Sequence, residues 1–156
     1  VYKRQEKYHY IVGGTTNLTE TEQGFFVKHG DGGVDIEPLA HLYKTQVFKL
    51  ARHVGVTSNI VDRQPSPDTY PGGVTDEEFF FRMPFDDLDL LLSSWKNGLT
   101  ADDVLRTLDY SVEQVNRVYR DFESKWKTSW HMRALPPTLI DEASSTDAFV
   151  KTNGAE

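Results

Sequence analysis

One segment of this chain, Tyr8–Gly13, has the composition of a β-strand. It is rich in β-forming residues and runs into the glycine pair Gly13 and Gly14, a pattern typical of a strand that enters a turn. The rest of the pattern is helical. Because a single strand would leave the hydrogen-bonding groups of both its edges unpaired, we expect the other strands of the sheet to come from elsewhere. The sequence thus predicts a mostly helical part of a larger fold.

Capping residues and the helical spacing of apolar residues predict five helices after this turn. The first begins at a capping box formed by Asn17 and Glu20. The others are a helix from Tyr43 to Val54 that Gly55 ends, one from Phe85 to Trp95 that Gly98 ends, a short one from Thr100 through Leu108, and one that begins at the capping box of Ser111 and Gln114 and carries an apolar stripe to Trp126. Residues 64–73 hold three prolines and two glycines, which predicts an irregular loop.

Composition excludes several classes of function. The net charge of -7 argues against a nucleic-acid-binding surface, which needs clustered Lys and Arg. No apolar run reaches the roughly 18 residues of a membrane span, so no membrane partner is expected. The chain has no cysteine, which excludes thiolate metal sites and fits a reducing cytoplasm. Residues 1–7 are interpreted as a cloning scar or an incomplete start, and residues 141–156 as a disordered polar tail.

The glycine-rich loop from Lys28 to Asp35 has two interpretations. Gly30, Gly32 and Gly33 allow a tight turn or a close approach to a ligand. The loop is either a hairpin-like turn with solvated charges or a nucleotide clamp. In the clamp, Lys28 binds a phosphate or carboxylate and Asp35 accepts hydrogen bonds from sugar hydroxyls. The acidic residues lack the spacing of an EF-hand, which excludes that type of calcium site.

The turn after the predicted strand is a candidate anion site. A strand, a glycine turn, a hydroxyl residue and a helix N-terminus together are typical of nucleotide sites in α/β proteins. Thr15 is either a ligand contact there or a turn hydroxyl that satisfies a backbone group. Glu20 is either the capping carboxylate of its helix or an oxygen ligand of nucleotide-bound magnesium. The residues alone leave both choices open.

Three further features carry charge or hydroxyl groups. Lys44 lies in the first turn of its predicted helix, where a cation opposes the helix dipole. This placement favours an anionic partner such as a phosphate over a solvated side chain, and it predicts that Lys44→Met leaves stability unchanged or slightly improved. Ser66 lies between two prolines and is either a well-aimed hydroxyl or an ordinary loop serine. The acidic cluster of Asp86, Asp87 and Asp89 is interpreted as a helix N-terminus with a solvated face.

Taken in order, three stretches of the chain resemble the NAD synthetase family: Gly14–Glu20, Lys28–Asp35 and Leu42–Thr45. The resemblance extends over residues 11–140 and is more specific in its first part. Its glycine-rich loop resembles the ammonia-dependent branch more than the glutamine-dependent one. The resemblance implies an α/β, parallel-sheet, adenine nucleotide alpha hydrolase-like fold (the ATP pyrophosphatase type) and a homodimer. Residues 8–140 would be the C-terminal half of the synthetase domain.

The resemblance also implies a reaction. Enzymes of this family use ATP and magnesium to adenylate the nicotinate carboxylate of deamido-NAD, and ammonia then displaces AMP to give NAD. By position, the family's ATP contacts correspond to Thr15, Lys44 and Ser66, and its magnesium carboxylate corresponds to Glu20. Its deamido-NAD contacts correspond to Lys28, Asp35 and His131.

Two departures from the family pattern bear on the implied activity. The family's His-Lys-Arg is His131-Met132-Arg133 here, and methionine cannot supply the lysine charge. The ATP-pyrophosphatase loop Ser-Gly-Gly-x-Asp-Ser is not in the sequence, nor is a Walker A motif. We therefore expect this chain alone to be inactive, as a fragment of a larger enzyme. Two alternatives remain: another amide-forming ATP pyrophosphatase, such as the GMP synthetase kind, which the Lys28–Asp35 loop argues against, and a non-catalytic nucleotide-binding or interaction module.

Overall fold

The computed structural model describes residues 2–67 and 72–137, and these ranges contain seven α-helices. They are α1 (Tyr2–Tyr8), α2 (Leu18–Gln23), α3 (Lys44–His53), α4 (Ser58–Val61), α5 (Phe85–Lys96), α6 (Ala101–Val104) and α7 (Val112–Arg133). A π-helical turn at Glu77–Phe81 precedes α5. The predicted tail at 141–156 lies outside the described residues. Within the described ranges, no helix is both long enough and apolar enough to cross a membrane.

The predicted strand at Tyr8–Gly13 is wrong. α1 extends through Tyr8, and β pairing in the described residues is limited to a single parallel bridge between Gly13 and Ile36. The bridge is held by the Gly14 N–H, which donates to the Ile36 carbonyl at 2.7 Å. Because β-forming residues make a strand only when a neighbouring strand pairs with them, this segment stays extended without becoming part of a ladder. The mostly helical character of the chain is confirmed.

Gly14 allows this extended segment to lie close to the end of the glycine-rich loop. A Cβ at position 14 would lie 2.7 Å from Val34 Cγ2 and 2.9 Å from Glu37 Cγ. Both distances are shorter than side-chain contacts allow, so a larger residue would push the two segments apart. The bridge therefore brings the loop next to the segment that leads into α2.

Two predicted helix starts are confirmed in detail. Asn17 and Glu20 form both hydrogen bonds of a capping box at the start of α2. Ser111 and Gln114 form the corresponding pair at the start of α7. Each box satisfies two backbone N–H groups that a helix leaves unpaired in its first turn. These starts depend on residues three positions apart, so the sequence defines them locally.

The predicted helix ends are confirmed for α3 and α5 and corrected for α6. Gly55 and Gly98 adopt left-handed backbone conformations just after α3 and α5, as glycines that end helices commonly do. Thr100 caps α6, but this helix ends at Val104 and not at Leu108. Residues 105–107 form turns, and Leu108 packs against the core from this non-helical segment. Leu108 thus reaches the core without a further turn of helix.

The hydrophobic core lies between α5 and α7. Leu88, Leu91 and Leu92 of α5 are at most 1% exposed, as are Val115 and Phe122 of α7. Full burial of such a side chain is worth roughly 1.5–3 kcal/mol, so these two helices form the most firmly packed part of the described chain. α3 packs on α5, and α2 packs on both α7 and α3. The core therefore sets where the starts of α2 and α3 lie.

An aromatic cluster joins the loop after α2 to the start of α5. The ring of Phe25 packs against Phe80 and Phe81, with centroids 4.6 and 5.2 Å apart. Phe81 in turn packs against Phe85 at 5.2 Å. Aromatic pairs at these separations add to the free energy gained by burial. The cluster fixes the first residues of the segment that continues to Lys28.

Candidate functional site

Glu20 and Lys44, which the sequence assigns to different helices, form an ion pair. The Lys44 Nζ lies 2.7 Å from Glu20 Oε1, and the two side chains are 16% and 18% exposed. The residues are 24 positions apart in the chain and meet where α2 and α3 begin. The Lys44 Nζ also lies over the Phe85 ring, 5.6 Å from its centroid. The interpretation of Lys44 as a solvated surface lysine is therefore wrong.

This pairing reverses the stability effect expected for Lys44→Met. The helix dipole alone makes a cation at this position unfavourable by about 0.3–1 kcal/mol. Removing Lys44 also leaves the partly buried Glu20 carboxylate without its cation, and a hydrogen bond to a charged group contributes about 1.5–3 kcal/mol. The larger effect decides the sign. The structure thus predicts that Lys44→Met lowers stability.

Glu20 uses its two carboxylate oxygens differently. Oε2 accepts from the Asn17 N–H at 3.2 Å, which confirms the capping interpretation, and Oε1 accepts from Lys44. Magnesium binds in proteins through one or two carboxylates together with phosphates and water. The described residues contain no group of three or more His, Cys, Asp or Glu side chains that could hold a metal by themselves. Glu20 therefore fits one ligand position of a magnesium ion that a nucleotide carries, and such an ion would compete with Lys44 for Oε1.

Asp89 connects the starts of α2 and α3 to α5. Asp89 is only 5% exposed, and its Oδ1 accepts from the Thr19 hydroxyl at 2.6 Å. Its Oδ2 accepts from the Thr45 N–H at 2.8 Å. The predicted solvated face is therefore wrong for Asp89. The signal in the sequence was its spacing of four residues from Phe85, which places a carboxylate on the apolar side of α5.

Lys28 caps the C-terminal end of α7. Its Nζ donates to the carbonyl oxygens of His131 at 2.7 Å and Ala134 at 2.5 Å. A lysine is favourable there because the last carbonyls of a helix are unpaired and carry partial negative charge. The structure thus brings together two predicted deamido-NAD contacts, Lys28 and His131, that lie 103 residues apart. Their meeting involves the backbone of His131, whose side chain is exposed.

Asp35 and Met132 line one cleft of about 320 Å³, together with Thr16 and Arg133. The Asp35 Oδ2 accepts from the Val12 N–H at 2.7 Å, so the carboxylate also anchors the extended segment. Met132, the residue in place of the family's lysine, thus faces the same space as a predicted deamido-NAD contact. Thr16, which the sequence did not single out, is 4% exposed and its Oγ1 lacks a hydrogen-bond partner among the described residues.

Arg133 ties α2 to α7 beside this cleft. Its guanidinium donates to the Thr21 carbonyl at 2.8 Å, to the Trp126 carbonyl at 2.9 Å and to Ser129 Oγ at 3.1 Å. It also stacks over the Trp126 ring, 3.9 Å from the centroid. Burial lowers the pKa of the Arg133 guanidinium, and the charge of Glu22 opposes that change. Arg133 therefore places a fixed cation on the wall of the cleft.

Thr15 and Ser66 are located, but their roles as ATP contacts stay predictions. Thr15 is exposed and stands next to the buried Thr16. Ser66 is half-buried between its two prolines. The neighbouring Pro65 lines a second cavity of about 310 Å³, which the first turn of α3 borders through Thr45. The residue beside the serine thus lines the same cavity as the first turn of the helix that carries Lys44.

Comparison with known proteins identifies the family. The sequence model of the NAD synthase family matches residues 1–136. An NH(3)-dependent NAD(+) synthetase of Rhizobium meliloti (strain 1021) is 45% identical over 139 residues, which are 89% of this chain and 41% of that protein. One of Methanocaldococcus jannaschii is 33% identical over 138 residues, 88% of this chain and 51% of that protein. The chain spans about half or less of the length of these curated relatives.

Solved structures agree with the sequence comparison. An NMN synthetase from Francisella tularensis resembles this structure with a TM-score of 0.67 and 28% identity, over 89% of this chain and 50% of that one. An NH3-dependent NAD synthetase from Campylobacter jejuni gives a TM-score of 0.62 at 19% identity, over 88% and 48% of the two chains, which shows a likeness of fold alone. The resemblance inferred from the capping box, the glycine-rich loop and the start of α3 is confirmed. The chain belongs to the NAD synthase family.

Proposed function

We propose that this chain carries part of the substrate site of an ammonia-dependent NAD synthetase. The observation that supports this most is the 2.7 Å contact between Glu20 and Lys44. The family resemblance assigns one residue to magnesium and the other to ATP phosphate, so a nucleotide site requires them to be neighbours. The carboxylate of Glu20 and the ammonium group of Lys44 lie at the starts of two helices, are partly buried and contact each other, so they meet this requirement. The enzyme would convert deamido-NAD, ATP and ammonia into NAD, AMP and pyrophosphate.

The first chemical step joins two anions. An oxygen of the nicotinate carboxylate attacks the α-phosphorus of ATP, and the bond to pyrophosphate breaks with its electron pair on the leaving group. Cations placed at the phosphates offset the repulsion between the reactants. Lys44 is the residue proposed to contact these phosphates, with its Nζ held at the start of α3. Magnesium, bound with Glu20 as one ligand, would add positive charge at the same phosphates.

The second step forms the amide. The ammonia nitrogen attacks the acyl carbon, AMP leaves with the electron pair of the broken C–O bond, and the nitrogen gives its extra proton to water. Lys28, Asp35 and His131 are proposed to hold deamido-NAD in place for both steps. Correct placement of reactants supplies much of the rate in reactions of this kind. Met132 stands where the family has a lysine, so the lining of this cleft keeps the charge of Arg133 but lacks that of the neighbouring lysine.

Several finer properties belong to the same proposal. The family implies a parallel-sheet, hydrolase-like fold, and the parallel sense of the Gly13–Ile36 bridge supports it. It also implies a homodimer, and the absence of cysteine from the sequence fits a cytoplasmic location. We further propose that residues 8–140 are the C-terminal half of the synthetase domain. Since the sequence lacks Ser-Gly-Gly-x-Asp-Ser, adenylation would need a segment that supplies this loop.

A second candidate function is synthesis of NMN, because one similar solved structure is an NMN synthetase. The two activities differ only in the size of the nucleotide that presents the carboxylate. The complete protein that contains this chain would be incubated with ATP, magnesium, ammonia and either deamido-NAD or the corresponding mononucleotide. Chromatography would then measure NAD, NMN and AMP.

We expect NAD and AMP in equal amounts from the complete protein with deamido-NAD, and no NAD from this chain alone. NMN formation without NAD would replace the proposed function by the second candidate. ATP binding without either amide would indicate the non-catalytic module. Turnover by this chain alone, clearly above a blank without protein, would contradict the role given to the missing loop.

A further inference from the structure

We propose that Asp89 is a positioning residue for the nucleotide site. Its carboxylate acts through Thr19 and through the backbone at the start of α3, and it fixes the relative placement of Glu20 and Lys44. This inference rests on the proposed function, because Glu20 and Lys44 are the residues proposed to serve magnesium and ATP. Asp89 itself contacts neither of their charged groups in the hydrogen bonds described above.

The carboxylate bonds to the immediate neighbours of both site residues. Asp89 Oδ1 accepts from the hydroxyl of Thr19, which precedes Glu20, at 2.6 Å. Asp89 Oδ2 accepts from the N–H of Thr45, which follows Lys44, at 2.8 Å. The Thr19 hydroxyl oxygen also accepts from the Lys44 N–H at 3.0 Å. These three bonds close a network in which α2 and α3 cannot shift relative to each other without breaking at least one bond.

The position of this network in the fold makes it rigid. Thr19 is 0% and Asp89 5% exposed, so water does not compete for these bonds. Asp89 follows Leu88 and precedes Leu91 and Leu92 on α5, three residues that are at most 1% exposed in the core. The network therefore anchors the starts of α2 and α3 to α5, which with α7 forms the most firmly packed helix pair of the described chain. A misplacement of about 1 Å in a catalytic site can lower the rate about a hundredfold, so this anchoring matters for function.

Packing alone does not explain a carboxylate at this position. Burial of a carboxylate is unfavourable unless hydrogen bonds satisfy it, and an apolar residue of similar volume would often be equally stable. The negative charge does have a favourable place here, because it accepts from the Thr45 N–H in the first turn of α3. It thereby opposes the unfavourable effect of Lys44 at the same helix start. The buried carboxylate thus offsets the cost of placing, at a helix start, the lysine that is proposed to bind phosphate.

The test uses two kinds of variant in the complete protein. Asp89→Asn keeps the shape, but its amide nitrogen cannot accept a hydrogen bond. Thr19→Val removes the hydroxyl that bonds both Asp89 and Lys44, whereas Thr19→Ser retains that hydroxyl. Asp87→Asn is the matched control, because Asp87 lies on the same helix and accepts from the Tyr110 hydroxyl at 2.6 Å, away from the two helix starts. The readouts are thermal midpoint, calorimetric Kd for a non-hydrolysable ATP analogue with and without magnesium, and kcat/KM for ATP.

We expect Asp89→Asn and Thr19→Val to raise the Kd of the analogue and to lower kcat/KM for ATP by about tenfold or more, the loss that corresponds to one hydrogen bond to a charged group. Thr19→Ser should restore both values to within about threefold of wild type, and Asp87→Asn should lower the thermal midpoint without changing either value. If Asp89→Asn does not fold, the comparison of Thr19→Val with Thr19→Ser tests the inference by itself.

If Thr19→Val bound the analogue with the Kd of the wild-type protein, the inference would be overturned. It would also be overturned if Thr19→Ser or Asp87→Asn lost as much affinity and kcat/KM as Thr19→Val. An active wild type with unaffected variants overturns this inference alone. A complete wild-type protein that neither binds the analogue nor forms an amide overturns the proposed function, and the positioning role falls with it.

Discussion

Single and double replacement of Glu20 and Lys44 measures how strongly the pair is coupled. Glu20→Gln retains an oxygen that can cap the Asn17 N–H, and Lys44→Met retains an apolar stem near the Phe85 ring. Each change therefore removes a charge and little else. At 2.7 Å, with side chains 16% and 18% exposed, the pair resembles a charged hydrogen bond in a partly buried place more than a surface ion pair. We expect a coupling energy of about 1–2 kcal/mol from a double-mutant cycle in urea.

The same cycle tests the link to ATP when it is repeated with a non-hydrolysable analogue and magnesium. A ligand at 100 times its Kd stabilises the folded state by about 2.7 kcal/mol. A tenfold weaker complex at the same concentration gives about 1.4 kcal/mol. Each single variant should therefore lose about half of the stabilisation that the analogue gives the wild-type protein. Urea midpoints together with the slopes of the unfolding free energy, at fixed protein concentration, supply all of these values.

Two results would refute this reasoning. A coupling energy below about 0.3 kcal/mol would show that the pair behaves like an exposed ion pair despite its burial. Unchanged stabilisation by the analogue in Lys44→Met would show that the lysine does not serve the phosphates. The second result would leave Lys44 as a structural residue that holds the starts of α2 and α3 together.

Two further variants test contacts away from this pair. Lys28→Met should lower stability by about 1 kcal/mol and speed hydrogen exchange of the Ala134 N–H, because the last carbonyls of α7 lose their cation; unchanged exchange there would contradict the capping role. The hydrogen bond to Asp87, aided by burial, raises the pKa of Tyr110 from 10.0 to about 12. The unfolded chain releases this proton first, so stability should fall as the pH rises from about 10 to 12. Tyr110→Phe should lack this fall in urea unfolding, and an equal fall in the variant would assign it to other groups.

Features that depend on neighbouring residues could be predicted from the sequence. The capping boxes of α2 and α7 need two residues three positions apart, and the glycines after α3 and α5 act at their own positions. The prediction of a strand at Tyr8–Gly13 is wrong because a strand forms only when it pairs with a neighbouring strand, which lies elsewhere in the chain or fold. Local composition gives no information about that partner.

The candidate site shows the same division. The sequence singled out Glu20 and Lys44 from their positions in helix first turns, and the structure brings them together. It did not reveal that Asp89 bonds to the residues beside them, since those bonds span 44 and 70 positions in the chain. Nor did it reveal the carbonyl partners of Lys28, more than 100 residues away. Long-range hydrogen bonds leave no periodic signal.

The cap that Lys28 places on α7 has a thermodynamic consequence for the proposed site. An ammonium group has three N–H donors, and this Nζ uses two of them on carbonyl oxygens, which leaves one for a substrate anion. An anion bound there would share the lysine with the end of α7, near His131. By linkage, a change that displaces the Nζ from this helix end would weaken substrate binding, and a bound substrate would stabilise the helix end by the same free energy. Substrate affinity and fraying of α7 would then be two measures of one equilibrium.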